Sequence, residues 1–420
     1  MSRRSRASLT LALVASAIAV AGWGGLADAS LRSPALQHLQ FLLNAALKPE
    51  GANVGVLVQD LGGGETLYTR NAGVAYPPAS VEKLYTSAAV LMMLGPNAKL
   101  HTDVLGTGHL GPGGVWYGNL YLRGDGDPTF GDGGFNRVYE DGYGPTAAEL
   151  VGQLARARIR RVTGFVYGDE SLFDSDRGGP ATDNDADVPD YGGQLSALVY
   201  DHGASARGYP PPVFAARELV ATMHAERISA RLWRRAARTP PGARVLATAA
   251  SPPMSVLLRL MDVPSDDLFA DLLDKQLGAR FFHEGTLTAG AIEIRQAVAE
   301  KYGITPRILD GSGLDKKDRS EPTQIVQLLR KAWGTPIGNQ LTAALPVVGK
   351  SGTVQEVGLH TPAVGRCVAK TGTLNYVTNL AGYCNAVGGH RLAFAMMIDG
   401  PANWQALAAL GRAVGAIAGY

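Results

Sequence analysis

The spacing of apolar residues predicts two helices and a strand pair in the first hundred residues. Leu31–Leu47 repeats apolar residues at helical spacing, and Ala79–Leu94 is a second, strongly apolar helix that follows two prolines. Between them, Asn53–Asp60 and Glu65–Arg70 alternate apolar and polar residues on either side of a glycine-rich turn. Such alternation is typical of paired strands with one buried face.

The last third of the chain predicts further helices and three consecutive strands. Helical spacing occurs at Met254–Leu277, Ala289–Tyr302, Thr323–Trp333 and Trp404–Ile417. Strand-like segments are found at Ala363–Thr373, Leu380–Val387 and Arg391–Ile398. The simplest arrangement places the first and last strands in one antiparallel sheet, flanked by the N- and C-terminal helices.

Residues 101–244 follow a different pattern. Short strands and turns rich in glycine and aspartate extend from His101 to Gly203, and a helix is predicted at Val213–Leu232. We therefore expect an α+β protein in which residues 30–100 and 245–420 form one discontinuous domain with a helical subdomain. Residues 101–244 are expected to form an inserted β-rich domain.

The N-terminal residues are typical of a secretory signal peptide. Arg3, Arg4 and Arg6 precede an apolar run from Leu9 to Trp23, and Ala27-Asp28-Ala29 has the small residues of a cleavage site. We expect residues 1–29 to be a signal peptide that is removed after Ala29. The alternative is an uncleaved membrane anchor. Either arrangement predicts an exported protein, on the outer side of the cytoplasmic membrane.

The overall composition is that of a globular protein. Of 420 residues, 46% are hydrophobic and 18% are charged, and the formal net charge is +2. A charge this small gives no electrostatic basis for binding nucleic acid. The eight histidines are scattered without ligand spacing, so no metal site is predicted.

Both cysteines, Cys367 and Cys384, fall late in the chain. If the strands around them form a hairpin that turns at Asn375-Tyr376, the two cysteines lie opposite each other. In an oxidising compartment they would then form a cross-strand disulfide. Two buried free thiols are the alternative.

Two charged segments could be either binding sites or ordinary solvated surface. Asp183–Asp190 could be a calcium loop, but it lacks the ligand spacing of known loops and is better explained as a solvated surface loop. The basic cluster Arg231–Arg238 is interpreted as the solvated face of a helix rather than a binding patch.

A serine and a lysine stand three residues apart at the start of a predicted helix. This spacing puts Ser80 and Lys83 on one helix face, so the lysine amine can reach the serine hydroxyl. A serine is a strong nucleophile only when a base takes its proton, and a desolvated lysine can be that base. By itself the pair is also explained by an N-capping serine followed by a surface lysine.

Two later constellations complete a possible site. Ser265-Asp266-Asp267 precedes a helical segment, where Ser265 could relay a proton or could simply cap the helix. Lys370-Thr371-Gly372-Thr373 lies on a predicted strand, where a lysine can hold a substrate carboxylate and a glycine permits close approach of the backbone. Two similar triplets, Thr182-Asp183-Asn184 and Lys350-Ser351-Gly352, lack the matching helix or strand.

Order and placement give these motifs their meaning. S-x-x-K, S-D-N and K-T-G together mark class A β-lactamases and penicillin-binding proteins. The chain resembles the penicillin-binding protein 4-like D-alanyl-D-alanine carboxypeptidase/endopeptidase group, serine peptidase family S13. Ser80 and Ser265 are 185 positions apart, longer than the interval in β-lactamases. Further matching blocks are Leu120–Pro128, Gly168–Phe173, Asp310–Leu314, Leu345–Gly349 and Val368–Leu374.

The resemblance implies a penicillin-binding protein/β-lactamase-like transpeptidase fold and a serine-type D-Ala-D-Ala carboxypeptidase. Its substrates would be peptidoglycan stem peptides, β-lactam antibiotics would be covalent inhibitors, and no metal or organic cofactor is implied. Carboxypeptidase and endopeptidase activity both remain open. Contact with a membrane is expected only if the signal peptide is retained.

The resemblance also assigns roles to individual residues. Ser80 would attack the peptide carbonyl, Lys83 would accept its proton, and Ser265 would pass a proton to the leaving amine. Lys370 and Thr371 would hold the terminal carboxylate. Gly372 would admit the substrate to the strand, and the backbone N–H groups of Ser80 and Thr373 would form the oxyanion hole.

The second motif departs from the family pattern because Asp267 stands where the family has asparagine. A carboxylate only accepts hydrogen bonds, and beside Lys83 it would favour the protonated lysine, which cannot act as a base. We therefore expect weakened activity or an altered substrate. The alternative function is an inactive peptidoglycan-binding homologue.

Overall fold

The structure is a computed structural model that describes residues 33–178 and 188–420. The proposed signal peptide, the Thr182-Asp183-Asn184 triplet and most of the acidic segment Asp183–Asp190 lie outside the described residues. None of the helices within the described ranges is both long and apolar enough to cross a membrane.

A five-stranded antiparallel sheet joins the two ends of the chain, as the apolar pattern predicts. Strand order is β10-β11-β12-β1-β2, so the last strand pairs with the first, for example Val58 with Phe394. The strands are β1 (Val54–Asp60), β2 (Thr66–Arg70), β10 (Cys367–Leu374), β11 (Val377–Asn385) and β12 (Arg391–Asp399).

Helices cover both faces of this sheet. On one face, α1 (Pro34–Leu47) and α11 (Asn403–Gly419) bury leucines and alanines against side chains such as Val56 and Phe394. The opposite face packs against the remaining helices of the two flanking regions through Leu57 and Met397. These helices are α2 (Lys83–Met93), α6 (Met254–Asp262), α7 (Asp267–Leu277), α8 (Leu287–Tyr302), α9 (Pro322–Ala332) and α10 (Pro336–Ala344).

The middle of the chain has its own sheets and its own apolar core. A four-stranded sheet has the order β8-β6-β3-β9, and a three-stranded sheet has the order β4-β5-β7. Its core centres on side chains such as Trp116, Leu150 and Phe214. The elements are β3 (His101–Gly106), β4 (His109–Gly111), β5 (Val115–Tyr117), β6 (Leu120–Gly124), α3 (Gly133–Tyr139), α4 (Ala147–Arg156), β7 (Arg161–Val162), β8 (Val166–Asp169), α5 (Pro211–Ala225) and β9 (Arg244–Ala250).

Three sequence-based expectations need correction. The helix predicted at Val213–Leu232 ends at Ala225, so the basic cluster Arg231–Arg238 is not a helix face. Met254–Leu277 is two helices, which separate at the second motif. β9 pairs with β3, and the expected boundary at 244/245 therefore falls inside a strand. Periodicity misses all three because local pattern carries no information about tertiary breaks.

The β10–β11 hairpin turns at Asn375-Tyr376 and carries a disulfide. Register pairs Cys367 with Cys384, and their sulfurs are bonded. This decides between the two alternatives that the sequence left open: the cysteines form a cross-strand disulfide rather than two free thiols. The bond lies at the far end of the hairpin from its turn, three residues before Lys370 of the third motif in β10.

Candidate active site

Ser80 lies in a tight turn at the entrance to α2. Ala79–Glu82 forms one turn of 3₁₀ helix, and Lys83 is the first residue of α2. The Lys83 Nζ atom donates to the Ser80 Oγ atom at 3.0 Å. The i,i+3 spacing therefore brings the two side chains together on one face. Ser80 is half-buried, whereas Lys83 has no exposed surface.

The Lys83 ammonium is fully hydrogen-bonded. Besides Ser80, it donates to Asp267 Oδ1 at 2.5 Å and to the backbone oxygen of Ser312 at 2.9 Å. These three contacts use all three of its N–H groups. In the sequence, Ser312 is notable only as part of the Asp310–Leu314 block. Its role here was not predictable, because the contact uses a backbone carbonyl, which every residue has. Lys83 must lose one of these protons before it can accept a proton from Ser80.

The second motif places its serine in the site rather than in a helix cap. Asp266 is the N-cap of α7, and its side chain accepts the Phe269 N–H at 2.8 Å. Ser265 stands one residue earlier with a positive φ of 71°. A non-glycine residue in this conformation costs energy that the surroundings must supply. Because Asp266 caps the helix, the Ser265 hydroxyl is not needed for this purpose. It accepts a hydrogen bond from Lys370 Nζ at 2.7 Å instead.

Lys370 is a buried cation on β10. Its Nζ donates to Ser265 and to the Thr371 backbone oxygen, and the side chain has no exposed surface. Burial, and then the charge of Lys83, lowers the pKa of Lys370 to about 7, while Asp262 and Asp267 oppose this shift. The ammonium therefore titrates near neutral pH.

Asp262 is a charged partner that sequence reasoning missed. It is fully buried at the end of α6, where it accepts the Ser87 hydroxyl at 2.7 Å. Burial raises the pKa of Asp262 to about 6, although the charges of Lys370 and Lys83 act in the opposite direction. No short motif contains this residue, so only the fold reveals its proximity to the two lysines.

Gly372 serves packing between β10 and the turn that carries Ser80. A Cβ atom at this position would lie 2.5 Å from the Pro78 backbone oxygen and 3.0 Å from Val81 N. This close packing requires a glycine here, and the interpretation in which Gly372 also admits the substrate stays a prediction. On either side of it, Thr371 is buried and donates to Thr353 Oγ1 at 2.7 Å, whereas Thr373 is exposed.

Asn379 on β11 is a second residue that the sequence did not indicate. Its amide donates to the backbone oxygens of Pro77 and Pro78 at 2.9 and 2.8 Å, and its oxygen accepts Ile398 N–H at 3.2 Å. It thus holds the segment before Ser80 against the sheet. The amide is fully satisfied, which is how a polar group is tolerated at 1% exposure.

Together these contacts define a class of protein. A half-buried serine beside a desolvated lysine, with a second serine and lysine on the adjoining helix and strand, is the arrangement of an active-site-serine acyl-transfer enzyme. The motifs at Ser80, Ser265 and Lys370 come from distant parts of the chain and meet in one hydrogen-bonded cluster.

Comparison with known proteins identifies the family. Residues 39–208 and 211–415 match the D-Ala-D-Ala carboxypeptidase 3 (S13) family, and the chain belongs to it. It is 28% identical to a D-alanyl-D-alanine carboxypeptidase of Actinomadura sp., over 95% of this chain and 87% of the relative. It is 29% identical to carboxypeptidase DacB of Mycolicibacterium smegmatis, over 91% of this chain and 85% of the relative. The resemblance found in the sequence is thereby confirmed.

A solved structure confirms the fold. Penicillin binding protein 4 (dacB) from Haemophilus influenzae superposes with a TM-score of 0.77, covering 90% of this chain and 99% of that chain at 19% identity. A predatory peptidoglycan endopeptidase from Bdellovibrio bacteriovorus gives a TM-score of 0.52, covering 82% of this chain and 86% of that chain at 18% identity. The α+β, penicillin-binding-protein-like fold expected from the sequence is the fold observed.

Proposed function

We propose that this chain is a serine-type D-Ala-D-Ala carboxypeptidase that hydrolyses peptidoglycan stem peptides through an acyl-enzyme on Ser80. Membership of the D-Ala-D-Ala carboxypeptidase family supports the activity. The observation that carries the site is the 3.0 Å contact between Lys83 Nζ and Ser80 Oγ at the entrance to α2. A nucleophile and its base must lie within hydrogen-bond reach for proton transfer.

Acylation follows from this geometry. In its neutral form Lys83 accepts the Ser80 proton while Ser80 Oγ attacks the carbonyl carbon of the penultimate D-Ala. The C–O ester bond forms and the C–N bond to the terminal D-Ala breaks. Ser265, held by Lys370, lies on the path by which a proton reaches the leaving amine. Water then hydrolyses the ester, with Lys83 again accepting the proton.

Strand geometry supports the proposed oxyanion hole. On β10 the N–H of Ala369 donates to Pro346 O, on the side away from β11. N–H groups alternate in an antiparallel strand, so those of Thr371 and Thr373 point to this same open side. The turn that carries Ser80 packs against this edge through Gly372. The Thr373 N–H can therefore join that of Ser80 around the developing oxyanion.

Lys370 and its neighbouring threonines account for selectivity toward a free C-terminus. The buried ammonium attracts a terminal carboxylate, and the Thr373 side chain, which is exposed on the same strand, can contribute a hydroxyl. The Lys370 ammonium is not exposed to solvent, and it is hydrogen-bonded to the Ser265 hydroxyl. The arrangement favours removal of a terminal residue, and cleavage of cross-linked peptides at the same bond is the second reaction to examine.

Penicillin labelling tests the site. We expect intact-mass measurement of the purified protein to show one covalently bound penicillin per chain, and muropeptide digestion to release terminal D-Ala. Ser80→Ala should remove both signals, and Lys83→Ala should slow acylation by about a thousandfold because a general base typically contributes 10²–10⁴-fold.

The chain supplies a matched control for the third motif. Lys370→Ala should raise KM for a substrate with a free carboxylate, whereas Lys350→Ala, in the similar Lys350-Ser351-Gly352 triplet, should not. In the structure that triplet lies in a loop and turn rather than on a strand. Labelling that persists in Ser80→Ala would contradict the assignment of the nucleophile.

The ion pair between Lys83 and Asp267 favours a second candidate, an inactive peptidoglycan-binding protein. At 2.5 Å the carboxylate stabilises the ammonium form, which cannot accept the Ser80 proton. This candidate predicts binding of stem peptides without penicillin acylation and without D-Ala release. Binding measured by calorimetry together with an absence of adduct would favour it over the carboxypeptidase.

We further propose that the protein is exported and divided into two structural units. The leader in residues 1–29 supports export, and N-terminal sequencing of the cell-derived protein tests it through a start at Ser30. If the protein is instead found in the membrane fraction with residues 1–29 still attached, the leader is a membrane anchor. The separate apolar core of the middle region supports an inserted unit, and the pairing of β3 with β9 extends that unit to Ala250.

A further inference from the structure

Three buried carboxylates lie together behind the Ser80 turn. Glu82, between Ser80 and Lys83, meets Asp310 and Asp318 from the segment before α9. One carboxylate oxygen from each lies within 4.8 Å of the others, and all three side chains are buried. The proposed catalytic steps use none of these groups.

Hydrogen bonding leaves much of this cluster unsatisfied. Among the residues that the structure describes, neither side-chain oxygen of Glu82 has a hydrogen-bond partner, although the residue is 0% exposed. Asp318 Oδ2 also has no partner, while its Oδ1 accepts Leu309 N–H. Asp310 accepts backbone N–H groups such as that of Gly313 at 2.6 Å. Buried carboxylate oxygens without donors are costly, so a proton or a cation is needed here.

The nearest lysine, Lys83, does not satisfy the unpartnered carboxylate oxygens of this cluster. Lys83 acts electrostatically on Glu82, but all its N–H groups are used on Ser80, Asp267 and Ser312. The cluster therefore requires either protons or a cation.

The spacing fits a hard divalent cation. Ca²⁺ binds carboxylate oxygens at about 2.3–2.6 Å, so two oxygens on opposite sides of the ion are separated by roughly 4.8 Å. Mg²⁺ demands near-ideal octahedral geometry at about 2.0–2.1 Å and usually keeps several waters, so a site of three protein carboxylates suits it less well. The donor set contains only carboxylate oxygens, which hard cations prefer over zinc or copper.

We propose that Glu82, Asp310 and Asp318 bind one Ca²⁺ ion that fastens the Ser80 turn to the loop that carries Ser312. Glu82 belongs to the nucleophile's turn, and Asp310 begins the segment whose Ser312 oxygen holds Lys83. One ion shared by the two segments fixes the distance between the turn and that loop. The sequence does not reveal this site, because Glu82 lies more than 200 positions before Asp310 and Asp318.

Metal binding by the full-length protein is the direct test. After treatment with EDTA and removal of the chelator, we expect calorimetric titration with CaCl₂ to show one ion per chain. Saturating Ca²⁺ should raise the thermal midpoint by a few degrees, since a ligand specific for the native state stabilises it. Parallel titrations with Mg²⁺ and Mn²⁺ determine selectivity, and we expect both to bind more weakly. This readout does not depend on peptidase activity.

Variants distinguish a cation from protonated carboxyls. Glu82→Gln and Asp318→Asn should each reduce Ca²⁺ affinity at least tenfold and abolish the thermal shift. Asp127→Asn is the matched control, because Asp127 is a buried carboxylate with an unpartnered oxygen in the other unit and lies outside the cluster. It should retain wild-type Ca²⁺ binding.

Two results would overturn the proposal. One is wild-type protein that binds none of the three ions and whose thermal midpoint is the same with EDTA and with metal. The other is Glu82→Gln protein with unchanged Ca²⁺ affinity. Because the wild-type measurement is decisive alone, a variant that fails to fold does not block the test. Loss of acylation with retained Ca²⁺ binding would refute the proposed function and leave this site intact.

Discussion

At the scale of single residues, the charge state of Lys83 governs the site. Its ammonium is desolvated and held by Asp267 at 2.5 Å. Ser80 is only one of the three hydrogen-bond partners of this ammonium. An amide at position 267 would still accept a hydrogen bond through its oxygen but would carry no charge. The aspartate therefore fixes the position of Lys83 and keeps a negative charge beside its ammonium group.

Asp267→Asn should accelerate penicillin acylation. Hydrogen bonds to charged groups contribute about 1.5–3 kcal/mol, so loss of the carboxylate should increase the rate about 10- to 100-fold by releasing the lysine proton. Stopped-flow measurement with a fluorescent penicillin gives the rate, and Asp267→Glu, which keeps the charge, is the control. An unchanged rate in Asp267→Asn would show that this carboxylate does not limit the reaction.

The titration of Lys370 predicts a pH dependence. Its pKa is lowered to about 7, and a lysine is cationic below its pKa, so attraction of a substrate carboxylate should be present below pH 7 and lost above it. The facing charges are those of Lys83, Asp262 and Asp267. We expect kcat/KM for a peptide with a free C-terminus to fall about fivefold from pH 7 to pH 8, as the cationic fraction of Lys370 falls.

Two control measurements distinguish the titration of Lys370 from the titration of other groups. kcat/KM reports the free enzyme, so a substrate analogue without the terminal carboxylate should lack the decline. Lys370→Arg remains charged throughout this range and should also lack it. A decline that is identical for both substrates would assign the titration to a different group.

At the scale of elements, the β10–β11 hairpin connects stability to the site. β10 is an edge strand of the five-stranded sheet and carries the third motif. Gly372 lets β10 approach the Ser80 turn, and Asn379 on β11 holds the same turn through Pro77 and Pro78. The hairpin therefore positions the nucleophile from two strands at once.

The disulfide should contribute measurably to the stability of this hairpin. Cys367 and Cys384 are 17 positions apart, and closing a loop of this size stabilises a protein by about 3 kcal/mol in the chain-entropy model. We expect the double variant Cys367→Ser, Cys384→Ser to lower the free energy of unfolding by about 2–4 kcal/mol in urea. Reductant should destabilise the wild type and leave the variant unchanged; equal responses would contradict this.

At the scale of the whole molecule, the active site depends on the two regions that flank the middle unit. The cores on the two faces of the five-stranded sheet contain no residue from 101–250. The middle unit packs on the site helix α7 through an apolar cluster that joins Phe173 to Leu268 and Leu272, and it also makes polar contacts to this helix. They include the Tyr191 backbone oxygen, which accepts Asp267 N–H, and Asp174, which pairs with Lys275.

Removal of residues 101–250 should leave a folded, acylating protein. Leu100 and Ser251 already exchange hydrogen bonds, Leu100 N–H to Ser251 Oγ at 3.0 Å and Ser251 N–H to Leu100 O at 2.8 Å, so a short glycine-containing linker can join them. We expect native-like circular dichroism and penicillin labelling about tenfold slower, because α7 loses its contacts. A shortened protein that is unfolded would show that the middle unit is part of the folding core.

Much of the architecture could be predicted because local patterns match the final environment. β1, β2 and the hairpin strands lie within a few residues of their expected positions, since burial on one or both faces marks them in the sequence. The break between α6 and α7 could not be found in this way. It depends on Ser265 adopting a left-handed conformation, which the neighbouring Lys370 and the capping Asp266 stabilise.

The sequence by itself determined the family and the three motifs, because each is a short-range pattern of residue types. Only the tertiary structure decided that Ser312 O holds Lys83, that Asp262 lies near both lysines, and that Gly372 packs against the Ser80 turn. The physical reason is the same in each case. Hydrogen bonds to backbone oxygens, buried charge interactions and close packing depend on distances between segments that are remote in the chain.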